Sequence, residues 1–227
     1  TSLVAITNET KHLYDIAFKI IANGLILKRR NIISNLDIDD VIKDEYVKKE
    51  VDVNREYLAR VKEISGAIFD FSTRAQLVME EQEDVKKIYE LKVANKCIVL
   101  AIKATQHLCK NMKIHTKSPN EYVKKEYNFI RKNLVELLRA IHTISTSIHC
   151  DEILLLLSKA KILAEKNDIF ANGILDDLIR KGLIPNEVAI SLMNDSAYAY
   201  EISENLIAMA EILFVCNRED IKNLSKD

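Results

Sequence analysis

The stretch that decides the fold is residues 123–148, VKKEYNFIRKNLVELLRAIHTISTSI. Its apolar residues recur at alternating steps of four and three, which places them on one face of an α-helix because the helix repeats every 3.6 residues. The residues before the stretch predict where this helix begins. Ser118 is the expected N-cap, Pro119 the first helical position and Glu121 the partner in a capping box. The stripe consists of Val123, Tyr127, Ile130, Leu134, Leu137, Ile141, Ile144 and Ile148.

The same alternation recurs in five other segments, so the sequence predicts an all-α protein. The chain has 227 residues but only four Gly and two Pro, too few turn residues for an all-β fold of this length. Gly24 and Gly182 are expected to end two of the helices. The predicted helices are residues 1–23, 52–80, 84–113, 119–148, 150–181 and 186–216.

The predicted helices divide into three before Ser118 and three after it. We therefore expect a first three-helix bundle in residues 1–117 and a second in residues 118–227. Residues 25–50 form a polar connector within the first bundle, with a short helix near 37–45. Short links between the other helices predict antiparallel neighbours, and heptad spacing predicts shallow crossing angles.

Composition excludes several classes of function. The chain has 33 Lys and Arg against 34 Asp and Glu, so it lacks the basic surplus that nucleic-acid binding requires. No apolar run approaches the roughly 20 residues of a membrane-spanning helix.

The four cysteines contain no C-x-x-C pair and are expected to be reduced, mostly buried thiols. A start at Thr1 without Met is what an excised piece of a longer protein would have.

The last predicted helix contains the clearest irregularity. Continuing its four-three count from Leu192 reaches Asp195, and an ionised carboxylate on a packed face is costly unless it is paired. Two interpretations remain open: a buried polar contact that fixes helix register, or a pocket for a ligand or cation. The other residues expected to belong to this site are Ser191, Asn194 and Asn172.

No catalytic motif is evident, and we expect a protein that is not an enzyme. Glu9 and His12 form a Glu-x-x-His pair of the kind that di-iron bundles use, but none of the other histidines repeats the spacing. A di-iron oxidase is therefore the weakest of the alternatives.

Three groups of segments resemble the cytoplasmic PhoU-like domain of bacterial sodium/phosphate cotransporters. Residues 191–207, SLMNDSAYAYEISENLI, look like the last helix of that domain. The opening helix and basic turn of that domain have their likeness here in ETKHLYD (9–15) and ANGLILKR (22–29). Its central junction looks like HLCKNM (107–112) and NEYVKKEYNFIR (120–131). The resemblance implies two PhoU-type three-helix bundles in tandem.

The resemblance also implies where a metal would bind. PhoU proteins hold divalent or ferric metal through an acidic motif in the last helix of each repeat. In the second repeat the motif's two acids align with Tyr200 and Glu204, with Glu201 beside them. In the first repeat they align with Ile98 and Ile102. Glu204 and Glu201 are therefore the candidate metal ligands.

The function that these expectations favour is a regulatory domain on the cytoplasmic side of the inner membrane. It would couple an intracellular signal or partner to phosphate transport, and its partner would be the transporter portion of the same polypeptide or a phosphate-signalling protein. A homodimer is a further expectation. The alternative is a free-standing, metal-binding PhoU-like regulator of phosphate uptake.

Overall fold

The computed structural model describes residues 2–44, 53–167 and 173–215, and over these ranges the chain forms helices and no strands. The all-α prediction is confirmed for this part of the chain. In chain order the helices are α1 (Ser2–Gly24), α2 (Arg29–Ile32), α3 (Ile38–Lys43), α4 (Val53–Leu77), α5 (Gln82–His115), α6 (Glu121–Thr146), α7 (Cys150–Glu165), α8 (Ile174–Arg180) and α9 (Asn186–Phe214).

The heptad stripes form the core, as their spacing predicts. The α6 stripe is buried from Val123 to Ile144. The stripe predicted for α5 is buried throughout, and it consists of Leu91, Ala94, Ile98, Ala101, Thr105, Leu108 and Met112. Three residues of the predicted stripes are exposed in the described ranges. Ile148 is exposed because α6 ends at Thr146, and Phe71 on α4 and Ile174 on α8 are exposed as well.

The start of α6 differs from the prediction. Its N-cap is Asn120, whose side-chain oxygen accepts hydrogen bonds from the backbone N–H groups of Tyr122 and Val123. The Ser118 hydroxyl, three residues before the helix, instead accepts from the backbone N–H of Asn120. Asn and Ser side chains cap helices about equally well. Asn120 lies directly before the first helical residue and is therefore the N-cap.

The predicted helix 150–181 is two helices. α7 ends at Glu165, and α8 begins at Ile174 after Gly173, which has a left-handed φ of 64°. Asn167, two residues after the end of α7, is buried. Its backbone carbonyl accepts a hydrogen bond from the Ser196 hydroxyl, so this carbonyl is bonded to a side chain of α9. Gly182 does end α8, as predicted, with a φ of 63°.

The end of α1 does not use Gly24 as its left-handed residue. Ile26 takes that conformation, with a φ of 61°. The N–H of Leu27 donates to the Ala22 carbonyl and the N–H of Ile26 to the Asn23 carbonyl, which is the hydrogen-bond pattern of a Schellman motif. Gly24 serves a different need. A Cβ placed there would lie 2.4 Å from the Cγ2 of Thr105, so glycine allows α1 and α5 to approach closely.

Packing between helices places α5 and α9 at the centre of the molecule. These two helices share the most extensive contact, α5 also packs on α1 and α4, and α9 also packs on α6 and α7. Stacking of His107 on Tyr198, with ring centroids 4.8 Å apart, marks one level of the α5–α9 contact.

The described part of the predicted connector contains the expected short helix, α3, with Asp37 as its N-cap. Two arginines of α6 bind the connector backbone. Arg131 is 1% exposed and donates to the carbonyls of Leu25 and Ile42. Arg139 donates to the carbonyls of Ile32, Asn31 and Leu36. The connector is thereby attached to the second half of the sequence.

The prediction that all cysteines are reduced is wrong for one of them. Cys150, at the start of α7, is disulfide-bonded, whereas Cys97 and Cys109 are buried thiols on α5. Sequence spacing does not encode this bond because disulfides depend on the distance between residues in the fold.

None of the helices in the described ranges combines the length and the apolar character that crossing a bilayer requires.

Candidate functional site

Asp195 lies on the buried face of α9, as the interrupted stripe predicts, and is only 1% exposed. Its Oδ2 accepts a hydrogen bond of 2.6 Å from the hydroxyl of Tyr127, a fully buried residue of the α6 stripe. The Asn111 side chain of α5 also interacts with this carboxyl group and stabilises its charged form. One acid therefore joins three helices.

His115 completes this group from the end of α5. Its imidazole stacks on the Tyr127 ring, with centroids 4.6 Å apart and planes at 27°, and it interacts electrostatically with Asp195. We call Asp195, Tyr127, Asn111 and His115 the Asp195 cluster.

Burial controls the protonation of the Asp195 cluster. Removal from water raises the pKa of Asp195 above its usual range, and the interactions with Tyr127 and Asn111 oppose that shift. Burial raises the pKa of the Tyr127 phenol, and its bond to Asp195 raises it further. Burial also lowers the pKa of His115, against the attraction of Asp195. The cluster therefore favours neutral side chains.

A second buried polar group lies beside the cluster, where α7 ends against α6 and α9. The Asn133 amide donates to the Asn167 side-chain oxygen at 3.2 Å, and the Asn167 amide donates to the Ser203 hydroxyl at 3.4 Å. The Ser196 hydroxyl bonds the Asn167 carbonyl. We call these four residues the Asn167 network; it holds the end of α7 on α9.

The other residues predicted for the Asp195 site do not converge on it. Ser191 is half-buried on α9, and Asn194 is exposed. Asn172 lies outside the described residues, so its predicted place level with Asp195 stays a prediction. Tyr127, Asn111 and His115 were missed as partners because their contact depends on how α5 and α6 rotate against α9.

The candidate metal ligands lie on the exposed surface of α9. Glu204 accepts a hydrogen bond of 2.8 Å from the Tyr200 hydroxyl, and Glu201 is exposed. Ile98 and Ile102, the aligned positions of the first repeat, are fully buried in the core. Across the described residues no three His, Cys, Asp or Glu side chains are grouped as a metal site. This donor set does not fit a multinuclear metal centre.

The Glu-x-x-His pair of α1 is also on the surface. Both Glu9 and His12 are exposed. In a di-iron bundle such a pair projects into the core between facing helices. The positions of these two side chains therefore do not match that arrangement.

The chemistry available to the Asp195 cluster is proton binding and hydrogen bonding between helices. Its carboxyl is held by a phenol and an amide, so a change in its charge changes contacts to α5 and α6 together. These internal partners support the register interpretation of Asp195 over a cation pocket.

Comparison of the chain with protein-family models, with curated proteins and with solved structures found no match.

Proposed function

We propose that this chain is a non-catalytic, PhoU-like regulatory domain of a sodium-dependent phosphate cotransporter, built from two tandem three-helix bundles. The observation that carries the proposal is the grouping of helix contacts. α1, α4 and α5 pack on one another, and α6, α7 and α9 do likewise, while the most extensive contact, between α5 and α9, joins the two groups. The membership of the two groups supports a division near Ser118, which is the arrangement that the resemblance implies.

The proposed role is to couple an intracellular signal or partner to phosphate transport. Packed helices have discrete arrangements, and a ligand that prefers one of them shifts the population. The Asp195 cluster supports this role because it joins α5 of the first group to α6 and α9 of the second. A change at either group is therefore transmitted to the other.

The test is sodium-dependent uptake of radioactive phosphate in cells that produce the protein. Cells lacking residues 1–227 but keeping the rest of the gene should still transport phosphate, with altered dependence on the internal phosphate level. A variant with Asp195→Asn should show a smaller change in the same direction. Uptake and its regulation identical to wild type in the deletion strain would overturn the proposal.

Elemental analysis separates this function from that of a free-standing, metal-binding regulator. Because the donor set around Glu204 is incomplete, we expect the purified protein to contain no stoichiometric iron, zinc or manganese. Bound metal that is lost on Glu204→Ala, but kept on Glu187→Ala at an exposed position of the same helix, would favour the alternative.

The disulfide at Cys150 bears on the proposed location. The cytoplasm keeps most thiols reduced, so a domain on the cytoplasmic side of the membrane should contain reduced Cys150 in the cell and form the bond only after oxidation. Trapping thiols by alkylation during lysis, followed by mass spectrometry, measures this state. Fully oxidised Cys150 in freshly lysed cells would contradict the cytoplasmic location.

A further inference from the structure

A groove between α4 and α5, which we call the α4–α5 groove, has a volume of about 730 Å³. Two contacts define its register. The Asn95 amide donates to the Ser65 carbonyl at 3.0 Å, and Lys92 Nζ lies 5.0 Å from the Phe69 ring centroid. The two helices therefore run antiparallel along the groove. Its volume is in the range of pockets that bind small molecules.

The two ends of the α4–α5 groove differ in chemistry. Phe69 and Tyr89 line one end and are 52% and 62% exposed, unusually high for aromatic side chains. Lys62 and Lys96 lie on the other side of the Ser65–Asn95 contact. Phe69 and Lys62 are seven residues apart on one helix, which separates the ends by about 10 Å. The groove thus offers aromatic surface at one end, where Lys92 lies over Phe69, and two further lysines toward the other end.

The middle of the groove contains an unpaired polar atom. Asn95 is 2% exposed, and its Oδ1 has no hydrogen-bond donor among the described residues, although its amide is bonded to Ser65. A buried acceptor without a donor is destabilising. A ligand that brings an N–H or O–H group to this position would satisfy it.

Gly66 leaves the floor of the groove open. It lies inside α4, where glycine is less favourable than alanine, and a Cβ added there would have no atom within 4 Å. Larger side chains at this position would enter the groove without disturbing the packing of α4 on α5.

We propose that the α4–α5 groove binds a mononucleotide. The base packs on Phe69 and Tyr89, an N–H of the base donates to Asn95 Oδ1, and the phosphate contacts Lys62 and Lys96. Each natural base carries such a donor, and lysines bind phosphate as point charges.

Other ligands satisfy only part of the α4–α5 groove. A fatty acid brings no donor for Asn95, and inorganic phosphate leaves the aromatic end empty. Asp70 is the one acid among the lining residues, with three lysines, and it follows Gly66 toward the aromatic end. Lys92 also lies at that end, where it donates to Gln76 Oε1 at 2.8 Å. Asp70 offsets the charge of Lys92, so phosphate is favoured at the end with Lys62. The proposal does not depend on a role in phosphate transport, because it uses only the residues of this groove.

Isothermal titration calorimetry of the full chain with ADP, GDP, CDP and UDP is the first test. We expect at least one of them to bind with one site per chain and with an affinity that falls as salt is added. The matching nucleoside should bind about ten-fold more weakly, because it lacks the charge-assisted contacts to lysine. No binding by any of the four, or equal competition by inorganic phosphate, would overturn the proposal.

Variants locate the site of nucleotide binding. Gly66→Leu fills the groove and should abolish binding, whereas Ala67→Leu adds the same side chain one position along α4, outside the groove lining, and should not. Asn95→Leu should weaken binding about ten-fold through loss of the acceptor. Lys62→Ala should weaken it similarly, with exposed Lys159→Ala of α7 as its control.

Circular dichroism and thermal unfolding report whether each variant folds. Gly66→Leu replaces an exposed helix-interior glycine and should unfold at or above the wild-type temperature. Wild-type affinity in a folded Gly66→Leu protein would show that the nucleotide binds elsewhere and would refute the proposed site.

Discussion

At the scale of single residues, Asp195 is a buried acid whose partners lie on two other helices. Its carboxyl group accepts a hydrogen bond from Tyr127 of α6 and interacts with Asn111 and His115 of α5. The protonation state of this one group therefore affects contacts among three helices.

Asp195 makes stability depend on pH in a definite direction. Its pKa is raised in the folded protein by burial, so between the usual carboxyl value of about 4 and the raised value the folded state holds more protons than the unfolded state. The contribution of Asp195 to stability is therefore greatest below pH of about 4 and is lost as pH rises through the folded pKa.

We expect the difference in unfolding free energy between wild type and Asp195→Asn to change across this pH range. The Asn variant keeps an acceptor for Tyr127 but has no charge, so it should lose this part of the pH dependence. Urea unfolding at a series of pH values measures it. A difference that stays constant with pH would show that Asp195 has the same pKa in the folded and unfolded chains.

Removal of the Tyr127 hydroxyl is a second test at the residue scale. Tyr127→Phe keeps the ring that stacks on His115 but removes the donor to Asp195. Leaving a buried acceptor without this partner should lower the free energy of unfolding by about 1–3 kcal/mol at neutral pH. Tyr122→Phe, at an exposed position of the same helix, is the matched control and should change the free energy of unfolding little.

Periodicity predicted the position of Asp195 but not its partners. The heptad count is a property of one helix, and it placed this carboxylate on a buried face, where the structure has it. Tyr127 and Asn111 belong to other helices, and their contacts with Asp195 depend on tertiary packing, which periodicity does not contain.

At the scale of helices, the sequence predicted which segments are helical better than it predicted where each helix begins and ends. Apolar stripes depend on repetition over many residues and survive local exceptions. Ends depend on single competing groups: Asn120 displaced Ser118 as a cap, and the bond of the Asn167 carbonyl to Ser196 accompanies the end of α7. Such competition is decided by packing, which one segment of sequence does not contain.

Gly24 tests the close approach of α1 and α5. An alanine methyl would meet the Cγ2 of Thr105 at 2.4 Å, so Gly24→Ala should destabilise the protein by about 1–3 kcal/mol despite its better helix propensity. Thr105→Ser removes that methyl and keeps the hydroxyl that bonds Ala101. The double variant should recover part of the loss. Simple additivity of the two changes in chemical denaturation would argue against the clash.

Arg131 tests the attachment of the connector to α6. Arg131→Met keeps the length and apolar part of the side chain but removes the donors to Leu25 and Ile42. We expect faster amide hydrogen exchange in the α2–α3 segment and a loss of about 1–3 kcal/mol, because buried carbonyls lose their donors. Lys124→Met is a control on the same helix. Unchanged exchange in the connector would show that other contacts hold it.

At the scale of the whole molecule, the extensive contact between α5 and α9 joins the two helix groups. The contact covers central helices of both groups, so separating the groups exposes apolar surface on each. Such a molecule should unfold in one step, whereas two independently stable bundles would unfold separately.

Leu157→Ala on α7 is the sharpest test of this cooperativity. Leu157 is buried, and α7 packs mainly on α6 and α9, so the direct damage is confined to one group. The cavity should cost about 2–5 kcal/mol. If unfolding is cooperative, hydrogen exchange measured across a urea series will shift equally in peptides from α4 and from α7. Leu155→Ala, at an exposed position of the same helix, should shift neither. A shift in α7 with none in α4 would instead mean that the groups unfold independently, and a signal at one could not reach the other through α5 and α9.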